Sequence, residues 1–153
     1  MFTNEETIHI DAPPEEVFRY VTDIKRHPEW CSNPMEMTVH GEPVAVGTTF
    51  TSVVNAFGKE TGQGKVIEMD SPRRFVYEVA TTTSGTWRWT MTLTPEAGGT
   101  RLAHRGEGLK VPGWFKVMQP LTFPFVGRKM ATKGLAKLKE RVEAGAAKEA
   151  AAG

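Results

Sequence analysis

The chain has 153 residues, a formal net charge of +1 from 19 basic and 18 acidic side chains, and a single cysteine, Cys31. Such a length suits one domain, and so even a charge balance argues against a nucleic-acid or polyanion binder. One cysteine excludes a disulfide framework and a cysteine-based zinc site, and no apolar run reaches the roughly 18 residues that a membrane span needs.

The opening MFTNEETIHID lacks the basic and apolar regions of a signal peptide, so the cytoplasm is the expected location. ETIHIDAP alternates around Ile8 and Ile10 and predicts a first strand. Asp11 and Pro13 then signal a helix start, and Val17, Phe18 and Val21 supply a helical stripe. DIKRHPEWC predicts a second short helix or turn, closed by SNP at 32–34. From there to about residue 110 the pattern is strand and turn, with candidates at 35–41, 48–57, 64–69, 74–82, 86–94 and 100–109. The short connections between them predict an antiparallel meander. GQGK at 62–65 lacks the upstream glycine of a phosphate loop and is expected to be a hairpin turn. From Trp114 to Ala151 the composition turns helical, and residues 146–153 are expected to fray as a tail beyond a single domain at 1–145.

The stretch TWRWTMTLT at 86–94 places Trp87, Trp89, Met91 and Leu93 on one face and hydroxyls and Arg88 on the other. Phe75, Tyr77 and Val79 repeat the pattern, although Val76 interrupts it, and Leu102 and His104 do so in the last strand. One face of the sheet is therefore aromatic and apolar and needs a cover, for which the C-terminal helix is available. In that helix Val117, Leu121, Pro124, Arg128, Ala131, Leu135, Leu138 and Val142 follow a 4-3-4-3 spacing and are expected to form the covering seam. Pro120 and Pro124 predict a kink in its first half, where Phe123 and Phe125 add bulk and a cavity would open. The faces of strands 48–57 and 64–69 stay open, with Phe50 and Val54 taken as inward.

The segments IHIDAPPEEVFRYVTDIKRHPEW, GT at 47–48, SPRRFVYEV at 71–79, LTPEAGGTRLAHRGEG at 93–108 and GLAKLKERVE at 134–143 resemble the polyketide cyclase/dehydrase-type branch of the SRPBCC, or START-like, superfamily. The resemblance covers about residues 6–143 and implies an α+β helix-grip fold. In that fold a curved seven-stranded antiparallel sheet wraps a long C-terminal helix, two short helices follow the first strand, and a hydrophobic ligand cavity lies between sheet and helix. Members bind lipids, sterols, polyketides, quinones and plant hormones, and a minority catalyse cyclisation or dehydration. They share no catalytic motif, so no catalytic residue is carried over.

The candidate ligand-binding residues are Trp30, Phe50, Val54, Phe75, Tyr77, Trp87, Trp89, Met91, His104, Leu121, Phe125 and Arg128. The commoner role for strand aromatics is closed-core packing; a sheet facing a single helix, together with the resemblance, turns the expectation toward lining a ligand space. Buried Trp and Tyr polar groups need partners that a ligand could provide. His104 reads either as a satisfied structural histidine or as a polar contact, and it is the one weak catalytic candidate, since its ordinary pKa of ~6.5 suits proton transfer. Arg128 reads either as a snorkelling side chain or as the holder of an acidic ligand head at the cavity mouth. His9, His27 and His40 show no metal-ligand spacing, so no metal and no cofactor is expected. Three functions follow: a binding module for a hydrophobic small molecule, a cyclase or dehydratase acting in the same cavity, and a protein-interaction role. The clean amphipathicity of the Trp87–Trp89 strand disfavours the last.

Overall fold

The computed structural model describes residues 2–56 and 58–152; Met1, Phe57 at the end of the expected strand 48–57, and Gly153 at the end of the expected tail lie outside the described residues. Strand β1 (Phe2–Ile10) alternates as its sequence does, with Phe2, Asn4, Glu6, Ile8 and Ile10 on the more buried side. Helix α1 (Pro14–Thr22) begins at Pro13, whose carbonyl accepts from Glu16 and Val17 at 3.0 and 3.2 Å. Pro14 loses no helical hydrogen bond at that position, and Glu15 and Glu16 face the positive end of the helix dipole. A 3-10 turn at Ile24–Arg26 leads into the single helical turn α2 (His27–Trp30).

Six strands follow: β2 (Met35–His40), β3 (Thr49–Asn55), β4 (Lys59–Asp70), β5 (Arg74–Thr81), β6 (Thr86–Glu96) and β7 (Gly99–Lys110). Among the described residues the seven strands form one antiparallel sheet in the order β1-β7-β6-β5-β4-β3-β2. Register shifts at Val66/Glu68 and at Thr86/Trp87 insert an extra residue, and such bulges bend and twist a sheet. Val76, the interruption in β5, is 2% exposed on the outer face, where its cross-strand partner Thr90 is also buried.

The expected hairpin turn at 62–65 is instead the middle of β4. Its glycines mark close approach rather than reversal. A Cβ at Gly62 would stand 2.6 Å from Val79 Cγ1 and 2.7 Å from Ser52 Oγ, and one at Gly64 would fall among the ring atoms of its register partner Phe50.

The C-terminal helix comes in two parts, α3 (Gly113–Thr122) and α4 (Arg128–Ala152), joined by a π-turn at Phe123–Gly127. Pro124 has no N–H to give back to the Pro120 carbonyl, and the ladder resumes with Arg128 N–H donating to the Phe123 carbonyl. Helix α4 runs on through residues 146–152. Its Leu135, Leu138 and Val142 are 2%, 0% and 4% exposed and share a core with Ile10, Val17, Val21, Leu93 and Leu102. The first half of the expected seam is turned away: Val117 and Leu121 are each 67% exposed. The π-turn is the reason. One extra residue rotates the preceding helix by about 100° relative to the following one, so Phe115, Gln119 and Phe123 take the sheet-facing side.

Candidate ligand-binding site

The inward aromatics of the sheet and of α2 form a continuous ladder. Phe115 of α3 meets Trp87 edge-on at 5.5 Å between centroids, and Trp87 stacks on Trp89 at 6.2 Å. Trp89 stacks on His104 at 5.0 Å with 18° between planes, and His104 meets Trp30 edge-on at 6.0 Å. His27 then links Trp30, at 5.1 Å, to Tyr77, at 5.7 Å, and Tyr77 touches both Phe50 and Phe75. Strands β3, β5, β6 and β7 contribute through their period-two alternation, while α2 supplies His27 and Trp30 three residues apart on one turn.

Room for Trp89 comes from a glycine in β7. A Cβ at Gly106, the register partner of Trp89, would stand 2.7 Å from Trp89 Cζ3. Above α2, Gly134 lets α4 approach closely: a Cβ there would be 3.3 Å from the Trp30 carbonyl oxygen.

Polar groups inside the ladder are unevenly satisfied. Trp87 Nε1 donates to the Ser84 carbonyl at 3.0 Å, and His27 Nε2 donates to the Val21 carbonyl at 2.9 Å. Trp30 Nε1 and His104 Nε2 are buried and have no hydrogen-bond partner. Burial, and secondarily the proximity of His27, pushes the His104 imidazole down to about 4. Burial does the same to His27, also to about 4, against the opposing pull of the Val21 carbonyl and Asp23. Both rings are therefore neutral at pH 7. Burial, then Cys31, raises the Tyr77 phenol above its ordinary value and keeps it protonated.

At the edge of the ladder, Glu6 of β1 is the register partner of His104. Its carboxylate forms an ion pair with Arg128, whose Nε stands 3.2 Å away, with the Arg128 side chain 69% and the Glu6 side chain 19% exposed. A recess of about 570 Å³ opens at this end of the sheet, walled by Phe2, by Gly108–Lys110 of β7 and by Lys116 of α3. Its lining includes Gly108, the register partner of Trp87, and none of the rings of the ladder.

The structure thus brings together Trp30, Phe50, Phe75, Tyr77, Trp87, Trp89 and His104, with Met91 fully buried between Phe75 and His104 as their cross-strand neighbour. Val54 is half-buried on β3 between Met35 and Glu60. Leu121 and Phe125, 67% and 77% exposed, stand apart from the ladder. Sequence reasoning missed His27, Phe115 and Glu6. His27 stands one helical turn before Trp30, and Glu6 is in phase with Ile8 and Ile10, so both carried a legible signal. Among the described residues no group of three or more His, Cys, Asp or Glu side chains could hold a metal.

Comparison with solved structures finds the same fold in several bacterial proteins. TTHA0849 from Thermus thermophilus is 22% identical, with a TM-score of 0.76 over 94% of this chain and 99% of its own. CV1439 from Chromobacterium violaceum is 23% identical, with a TM-score of 0.73 over 92% and 97%. A conserved protein from Geobacillus kaustophilus is 15% identical, with a TM-score of 0.74 over 92% and 95%. No curated protein matches the chain. The family described as "Polyketide cyclase / dehydrase and lipid transport" matches residues 1–143. With the sheet order and the long C-terminal helix of the helix-grip fold, the chain belongs to the polyketide cyclase/dehydrase and lipid transport family of SRPBCC-type proteins.

Proposed function

We propose that this chain binds a neutral hydrophobic small molecule carrying a hydroxyl or carbonyl oxygen, laid against the aromatic ladder and entering through the recess beside Trp87. The observation that carries the reading is the pair of buried, unpartnered polar atoms, Trp30 Nε1 and His104 Nε2, in a setting that is otherwise aromatic. An unpaired buried donor or acceptor costs about 1–3 kcal/mol, and a ligand oxygen would recover that. The family's lipid and polyketide chemistry supports hydrophobic ligands in general. Neutral imidazoles, and an Arg128 charge already met by Glu6, favour a neutral ligand over an anionic one.

Native mass spectrometry of the protein purified from its own host tests this: excess mass on the folded species, lost on denaturation, identifies the ligand class. A matched pair of probes tests the oxygen. Tryptophan fluorescence should report tighter binding of 2-naphthol than of naphthalene, and Trp30→Phe with His104→Phe should erase the preference. A bare mass together with no probe binding would sink the reading.

Glu6 opposite His104 favours a second reading, in which His104 moves a proton in a cyclase or dehydratase reaction. It ranks below the first because Arg128 already engages Glu6. If His104→Ala turned over a polyketide-like substrate at the wild-type rate, that role would be removed.

A further inference from the structure

Helix α3 and the π-turn carry an apolar stripe on the side away from the sheet. Phe115, Gln119 and Phe123 face inward and are half-buried, whereas Trp114, Val117, Met118, Leu121 and Phe125 are 57%, 67%, 48%, 67% and 77% exposed. These five follow i, i+3, i+4, i+7 and i+11, which is one ridge of a helix. So much contiguous apolar surface on an outward ridge needs an occupant.

The charge around the ridge says which. Between Glu107 and Glu140 the chain has no acidic residue and seven basic ones, although the whole protein is nearly neutral. Arg128 pairs with Glu6, and Lys139 with Glu143 and Asp11; Lys110, Lys116, Lys129, Lys133 and Lys137 form no ion pair among the described residues. Among the described residues no helix is long and apolar enough to cross a membrane. A groove on a partner protein would take such a ridge by shape alone, whereas the unpaired lysines around it call for an anionic occupant, and like charge opposes two such ridges meeting. An anionic lipid surface needs neither groove nor shape complementarity, and it takes apolar side chains and lysines together.

We propose that the Trp114–Phe125 ridge docks this protein on anionic membrane surfaces, with α3 lying in the interface and Lys129 and Lys133 meeting lipid headgroups. The proposal stands independently of what the aromatic ladder binds.

Flotation with phosphatidylcholine vesicles, with and without about one-third phosphatidylglycerol, tests it. The protein should float with the anionic vesicles and not with the neutral ones, and about 0.5 M salt should release it. Val117→Asp with Leu121→Asp, and separately Lys129→Glu with Lys133→Glu, should each lower binding about tenfold. All four positions are exposed, and circular dichroism checks that the variants are folded. Absence of vesicle binding, equal binding to both compositions, or binding that survives both variants would overturn the proposal. So would a dimer in solution that Val117→Asp with Leu121→Asp dissociates while vesicle binding is absent, since that would give the ridge to a second copy.

Discussion

Arg128 Nε meets the Glu6 carboxylate at 3.2 Å, fastening the first turn of α4 to the strand position directly opposite His104. The Arg128 side chain is largely exposed, so the pair should contribute less than about 1 kcal/mol to global stability. Its effect should be local. Arg128→Ala should leave the melting temperature nearly unchanged while amide exchange across Gly113–Gly127 accelerates. Unchanged exchange there would mean the pair does not hold this segment.

The two halves of the C-terminal helix should respond oppositely to truncation. Leu138 is fully buried between α4 and the sheet, and Leu138→Ala should cost about 2–5 kcal/mol in denaturant unfolding. Leu121→Ala, on the exposed ridge, should stay within about 0.5 kcal/mol of wild type. Comparable losses at both positions would contradict the rotation imposed by the π-turn.

Gly64 should tolerate no side chain. Its Cβ would lie 2.6 Å from Phe50 Cε1 and closer still to the end of the ring, and Phe50 is 1% exposed with nowhere to move. Gly64→Ala is expected to cost about 3 kcal/mol by overpacking. Gly113→Ala, where nothing lies within 4 Å, is the control and should be near neutral. Thermal melts of the two variants decide the matter.

Acid should weaken the fold through its buried histidines. His27 and His104 titrate at about 4 in the folded chain, against about 6.5 when unfolded. Between those values the unfolded chain binds more protons, so stability rises with pH across the window and is lost as pH falls from about 6.5 toward 4. Urea unfolding from about pH 7 to about pH 4.5 should show a loss of a few kcal/mol, and His104→Leu should flatten part of the slope. A profile with no slope would place both rings in contact with water.

His9 should titrate the other way. Hydrogen bonds from its ring to Glu96, at 2.5 Å, and to Asp11, at 2.8 Å, raise its pKa above the ordinary value. Its contribution is present below about pH 6.5 and is lost as pH rises through the raised value. An NMR titration should find the elevated midpoint, and Glu96→Gln should bring most of it back.

Much of this architecture was legible because one face of each strand is buried and the other is not. Trp87, Trp89 and Leu93 announce their side through strict alternation, and Tyr77 and His104 could be placed beside them by the same period. Assigning 62–65 to a turn failed because glycine in a strand and glycine in a turn look alike in one dimension; only Phe50, Ser52 and Val79 closing on β4 tell them apart. The seam Val117–Leu121 failed for a different reason. Its spacing is correct for an unbroken helix, and one π-turn downstream invalidates it without altering the pattern. The alternation places Glu6 on the inner side with Ile8 and Ile10, but its position opposite His104 comes from register, and the contact of Phe115 with Trp87 from the rotated helix, which are properties of the assembled fold.

Pairing of the first strand with the last also governs when the fold can close. Phe2 lies opposite Gly108 and Ile10 opposite Thr100, whereas β2 through β7 follow one another as neighbours. On a growing chain the meander can assemble hairpin by hairpin, but β1 must wait until β7 has been made. The loop it then closes spans most of the molecule, which favours slow, late completion over rapid local folding. Until that moment the β7 edge beside His104 is unpaired, and the nascent protein is at its most vulnerable to association through it.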